Sequence, residues 1–221
     1  MSNVNLWYRD YWPRLRAREQ LKFTGRIPVL HWFWSDQLNE VEQLIFSRSR
    51  TCSAILDYGA GDGALKHKFI AKGFTGRYET FDIAEDHDGT IVDPADIQGQ
   101  FDAIFCLEVI EHMTLNDYVA LMDSFQTWLK PNGLLIISTP NPLCVTPMWN
   151  GDAGHIQQYP LGDLCADLSI RGFQSEPFRV VLGNRPTQMR ARARALVRKT
   201  LCYLLSVDYA NGLLVLAQRS K

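Results

Sequence analysis

With 221 residues and 46% apolar content, the chain has the length and composition of one globular domain with a sizeable core. Five cysteines, an odd number without a C-x-x-C pair, argue for reduced thiols in a cytoplasm rather than a disulfide framework. The N-terminus has no apolar signal-peptide core, and the longest apolar stretch, 201–217, is broken by Asp208 and Asn211, too short and too polar to cross a bilayer.

Residues 1–49 form an N-terminal segment, a lid or cap, ahead of a main domain at 50–221. It opens with Trp7, Tyr8, Tyr11 and Trp12 among several arginines. These aromatics suit either a cover over a ligand or plain packing. From Leu30 onward, Phe33, Trp34, Leu38, Val41, Leu44 and Ile45 recur near helical spacing, which predicts a helix over 30–48. Residues 54–63, Ala-Ile-Leu-Asp-Tyr-Gly-Ala-Gly-Asp-Gly, then predict a strand running into a glycine turn, with a helix beyond it. Glycines at 59, 61 and 63 let a ligand lie against bare backbone. Gly59-x-Gly61-x-x-Ala64 satisfies a loose dinucleotide pattern, but the turn carries Asp57 and Asp62 and no cation before Lys66. That charge is poor for a pyrophosphate and suits an ammonium group. S-adenosylmethionine has an amino-acid tail, a sulfonium and no phosphate.

The next strand, Tyr78–Ile83, ends near Asp82, placed to accept hydrogen bonds from ribose hydroxyls. Asp93, or else Asp96, near the end of a third strand, suits the adenine amino group. A fourth strand spans Asp102–Leu107, a helix about 114–129, and Pro131-Asn-Gly133 turns into a fifth strand, Leu134–Ser138. Helix Leu161–Arg171 stops at Gly172, and strands six and seven lie near 178–182 and 212–217.

Between those last strands, residues 177–207 hold seven Arg or Lys and no Asp or Glu, in a chain of net charge −1. Over 189–205, Met189, Ala193, Leu196, Val197, Thr200 and Leu204 share one helix face, while Arg190, Arg192, Arg194, Arg198 and Lys199 fall elsewhere. This basic amphipathic insert, about 183–206, suits three settings: a surface helix packed on the domain, an anionic membrane surface, or an acidic substrate or nucleic acid.

Four blocks come in order: Leu56-Asp-Tyr-Gly-Ala-Gly-Asp-Gly63, Phe81-Asp-Ile83, Phe101-Asp-Ala-Ile-Phe-Cys-Leu-Glu-Val-Ile-Glu-His112, and Leu129–Pro142 with its Lys-Pro-Asn-Gly turn. Together they resemble the class I S-adenosylmethionine-dependent methyltransferases over about residues 50–175. The style is similar to the bacterial group that includes ubiquinone-pathway O-methyltransferases. The resemblance implies a single-domain α/β fold, Rossmann-like and doubly wound. Its seven-stranded sheet would have the order 3-2-1-4-5-7-6, with strand seven antiparallel. It implies a cofactor site of Asp57, Gly59, Ala60, Gly61, Gly63, Asp82, Ile83, Asp93 and Leu107.

Methyl transfer from a sulfonium needs the acceptor held in line and its proton removed. Glu108, Glu111 and His112 share a face if 108–112 turn helically, and His155 lies on the loop after strand five. This set is similar to the Glu-x-x-Glu-His plus distant His of small-RNA 2′-O-methyltransferases, which hold a divalent ion. It implies a magnesium or manganese site at Glu108, Glu111, His112 and His155. Without a metal, Glu111, His112 and His155 are the catalytic candidates, one of the histidines being the general base. The expected activity is methylation of an oxygen on a small molecule, a lipid-linked intermediate or a glycan. Two rivals are an RNA ribose 2′-O-methyltransferase and a non-catalytic cofactor-binding subunit. The acidic remainder of the chain and the lack of an RNA-binding module count against nucleic acid. The expected location is cytoplasmic, peripheral at the inner membrane face if 189–205 meets lipid.

Overall fold

The computed structural model describes residues 6–21, 27–84, 90–144 and 152–220. Seven strands form one sheet: β1 (Val29–Trp32), β2 (Ala54–Tyr58), β3 (Arg77–Phe81), β4 (Phe101–Leu107), β5 (Leu129–Pro140), β6 (Phe173–Leu182) and β7 (Gly212–Arg219). Their order is β1-β6-β7-β5-β4-β2-β3. Only β7 runs antiparallel to its neighbours, β5 and β6. The central strands are near-continuous apolar runs because helices cover both faces. On one face, α3 (Glu40–Ser49) and α4 (Ala64–Ala71) bury Val41, Ile45 and Phe69 against Ile55, Phe105 and Ile136. On the other, α5 (Leu115–Trp128) and α6 (Leu161–Ile170) bury Tyr118, Met122, Phe125 and Leu164 against Leu56, Ile104 and Leu135.

Six strands lie in the order the sequence implied; the sheet departs from it at both edges. The expected third strand shrinks to a single bridge, Phe81 to Ile91. The seventh strand is instead β1, paired parallel outside β6 from Val29–Arg179 to Trp32–Leu182. The helix predicted over 30–48 therefore begins ten residues late. Residues 29–32 satisfy their backbone groups on the β6 edge, and the helix starts where a capping box can form. Asn39 Oδ1 accepts from the Glu42 amide at 3.1 Å, while Glu42 Oε2 accepts from the Asn39 amide at 2.9 Å.

The short α1 (Leu6–Arg9) and α2 (Tyr11–Gln20) dock on α5 and α6. The tie is a buried ion network. Asp167, fully buried, accepts from Arg14 Nε at 2.9 Å, Arg171 Nε at 2.9 Å and the Tyr118 hydroxyl at 3.0 Å. The Arg14 guanidinium also lies 3.4 Å from the centre of the Trp7 ring, which packs on Tyr118 and Tyr159. Trp7 is thus packing rather than a ligand cover, and Tyr8, Tyr11 and Trp12 are exposed.

The basic insert folds as predicted into a helix, α7 (Met189–Leu204). Cys202 is its buried residue. Among the described residues no helix is long and apolar enough to cross a membrane.

Candidate functional site

At the carboxyl ends of β2, β4 and β5 the strands open into a cavity of about 360 Å³. Asp57, Gly59, Ala60, Asp62, Leu107, Glu108 and Ser138 line it, joined by Trp32 and Trp34 from the N-terminal segment. The two tryptophans come from β1 and the residues just after it, which the expected helix had hidden.

The glycine loop is built by backbone geometry. Gly59, Gly61 and Gly63 all have positive φ, at 81°, 54° and 70°. The Gly59 and Ala60 amides donate to the Phe81 carbonyl at 2.7 and 3.0 Å, which locks the loop to the tip of β3. A Cβ on Gly59 would stand 2.2 Å from Val109 Cγ2, so that position serves packing. A Cβ on Gly61 would meet nothing within 4 Å, so that position leaves bare backbone facing open space. This is a cradle that a side chain would fill. Asp62 works as a turn residue, accepting from the Ala64 amide at 3.0 Å at the start of α4.

Asp82 sits at the tip of β3 and also braces the loop, accepting from Gly61 N at 2.7 Å through Oδ2 and from Ala84 N at 3.0 Å through Oδ1. Each oxygen keeps a second lone pair for a ligand hydroxyl. Ile83, beside it, is 91% exposed, an apolar side chain free to cover a flat ring. Asp93 is exposed and caps a single 3-10 turn through the Ala95 amide at 2.8 Å.

Asp57 is buried under the loop, and its Oδ2 accepts from the Tyr78 hydroxyl at 2.8 Å. Burial pushes its carboxyl up to about 7; the Tyr78 hydrogen bond opposes the rise and Asp82 adds to it. A cation arriving in the cavity would favour its ionised form.

The segment after β4 is a 3-10 turn, Ile110–His112, entered through Glu108 at φ 55°. Ser138 holds that unusual backbone: its Oγ donates to Glu108 Oε1 at 2.7 Å, and the Glu108 amide is 3.1 Å from both its carbonyl oxygen and its Oγ. Glu108 lines the cavity; desolvation raises its carboxyl, and the Ser138, His155 and Glu111 interactions restrain the rise. It lies outside the tightest cluster of the other three candidates, yet its carboxyl interacts with both Glu111 and His155, so it stands between that cluster and the cavity.

Those three do meet. Ligand-capable atoms of Glu111, His112 and His155 all lie within 4.8 Å of one another. The His112 and His155 rings are 4.8 Å apart at 60°. The Glu111 carbonyl stitches the two segments together, accepting from the Ile156 and Gln157 amides at 2.9 and 3.1 Å. The Glu111 side chain is fully buried, and neither carboxylate oxygen has a hydrogen-bond partner among the described residues. Burial, with Glu108 beside it, pushes this carboxyl up to about 8. An orphaned buried carboxylate beside two imidazoles is suited to a shared proton or a divalent ion. The sequence placed these residues on one edge; it held no signal for Ser138 as the brace of Glu108 or for Tyr78 on Asp57.

A protein-family model described as a methyltransferase domain matches residues 32–176. No curated protein sequence matches the chain. Among solved structures, an S-adenosylmethionine-dependent methyltransferase from Archaeoglobus fulgidus is similar at 16% identity and TM-score 0.60, over 80% of this chain and 94% of that one. A Burkholderia thailandensis 1,6-didemethyltoxoflavin-N1-methyltransferase, solved with 1,6-didemethyltoxoflavin and S-adenosylhomocysteine, matches at 16% identity and TM-score 0.56, over 81% and 76%. The magnesium protoporphyrin IX methyltransferase of Synechocystis PCC 6803, with S-adenosylmethionine bound, matches at 15% identity and TM-score 0.50, over 100% and 86%. At these identities the likeness is one of fold.

Proposed function

Since the chain belongs to the methyltransferase-domain family, we propose that it uses S-adenosylmethionine to methylate an oxygen of a small molecule, a lipid-linked intermediate or a glycan. The cavity and the loop at its edge support the cofactor: Asp57 lines the cavity, while the bare Gly61 backbone and Asp82, which braces it, suit a nucleoside carrying an ammonium and no phosphate.

The observation that carries the choice of oxygen is the meeting of Glu111, His112 and His155 beside that cavity. An amine acceptor attacks with a free lone pair. A hydroxyl must lose its proton as it attacks the sulfonium carbon, so it needs a base in reach. His112 is exposed, and its imidazole has a ring nitrogen able to accept the hydroxyl proton. Glu111 lies beside the rings, and in its ionised form it would supply a counter-charge to the imidazolium formed when the ring takes up the hydroxyl proton. His155 packs on the His112 ring and fixes its position.

The same three groups also fit a hard divalent ion, since they offer oxygen and nitrogen and no thiolate. A magnesium or manganese ion bound there would lower the acceptor hydroxyl's pKa.

The test is release of S-adenosylhomocysteine from panels of hydroxyl, amine and thiol acceptors. Turnover confined to hydroxyl compounds, lost in His112→Ala while S-adenosylhomocysteine still binds, is expected. Turnover on amines alone would overturn the oxygen assignment. Loss on exhaustive chelation, restored by magnesium or manganese, would assign the cluster to a metal.

A further inference from the structure

Successive residues of an α-helix are set about 100° apart, so α7 can be read as a wheel. Its inner side is small: Ala191 is half-buried and Cys202 buried. Arg198 and Lys199 tether it to the domain, the first donating to the Tyr209 carbonyl at 2.7 Å, the second lying 4.8 Å from the Tyr209 ring. The opposite side carries the large apolar residues. Met189 is 85% exposed, Leu196 65%, Val197 58% and Leu204 69%. An ordinary surface helix buries such a stripe in its own domain. This one turns the stripe outward.

Charge is arranged around the stripe. Arg190 and Arg194 border it on one side and Arg192 on the other, all exposed. Residues 177–207 hold seven cations and no acid, so the other 190 residues sum to −8. An outward apolar band edged by arginines, which can bury their stems and raise their heads, is the pattern of a helix lying in a lipid interface. Nucleic acid would use the cations and leave Met189, Val197 and Leu204 without a role. The acidic remainder would be repelled by an anionic surface, so only this face could approach one.

We propose that α7 docks the protein in the plane of an anionic lipid bilayer, its Met189–Val197–Leu204 stripe entering the acyl boundary and its arginines meeting the headgroups. The inference is independent of which atom is methylated. It also concerns the cofactor cavity, because β1 lies between the two: His31 lines the cavity beside α7 and Trp32 the cofactor cavity.

Co-sedimentation with vesicles tests it. The full-length protein should partition onto phosphatidylserine-containing vesicles far more than onto pure phosphatidylcholine, and less as salt rises. Each basic residue near such a surface is worth about fivefold, so R190Q/R192Q/R194Q should weaken partition on the order of a hundredfold. V197D/L204D should also release the protein, with thermal unfolding unchanged for both variants because all five side chains are exposed. No partition onto anionic vesicles, or equal partition onto neutral ones, overturns the proposal. A lipid-free dimer in sedimentation velocity that V197D/L204D dissolves would overturn it in favour of a second copy. Nucleic-acid retention that V197D/L204D leaves intact would overturn it in favour of a polyanion.

Discussion

Titrating S-adenosylhomocysteine into the protein across neutral pH tests the role given to Asp57. In the free protein its carboxyl is held up to about 7 by burial. The ligand's ammonium favours the ionised form, so below that value binding must first expel a proton. The sign is fixed by this order: affinity falls as pH drops through the free-state value and levels off above it. For one proton with a free-state pKa of about 7, the dissociation constant should improve roughly eightfold from about pH 6 to about pH 7.5. Calorimetry in two buffers of different ionisation enthalpy would count the proton directly, roughly three-quarters of one released at about pH 6.5. Asp57→Asn should bind more weakly and with no pH dependence. Tyr78→Phe removes the hydrogen bond that opposes the shift, so its pH profile should move upward. Glu108 shares the cavity and is also raised. A profile that Glu108→Gln flattens and Asp57→Asn leaves unchanged would refute the reasoning, as would a wild-type affinity indifferent to pH.

The glycine loop should divide its labour: Gly59→Ala, facing Val109, should cost roughly 2–4 kcal/mol in denaturant unfolding. Gly61→Ala should cost only about 1–2 kcal/mol, for its positive φ, yet lose most S-adenosylhomocysteine affinity. Asp167→Ala should lower stability by about 3–5 kcal/mol in chemical unfolding, since Arg14 and Arg171 would remain with no buried counter-charge. An unchanged unfolding midpoint there would show that α1 and α2 are held by apolar packing alone.

What the sequence showed and what it hid divide along a physical line. The glycine loop, Asp82 and the β4–Glu108 segment were legible because their geometry is local: φ, turn chemistry and an apolar run. The capping box Asn39-x-x-Glu42 was equally local, and reading it first would have started α3 in the right place. Residues 29–32 could not be read that way. Leu30 and Phe33 fit a helical period, and only the open edge of β6 decides for a strand. Helical spacing revealed that α7 has two faces but not that the apolar one looks outward. His112 and His155 meet through a backbone tie at Glu111, which no spacing rule contains.

Consecutive residues of β1 point to opposite sides of the sheet. His31 therefore belongs to the α7 side and Trp32 to the cofactor side, with one rigid backbone between them. Any displacement of this edge strand would change the walls of both cavities together. Thermodynamic reciprocity then fixes the bargain: if occupancy on one side strengthens the other by some factor, the second must strengthen the first by the same factor. The four-residue β1 thus contributes to the walls of two separate cavities, one on each side of the sheet.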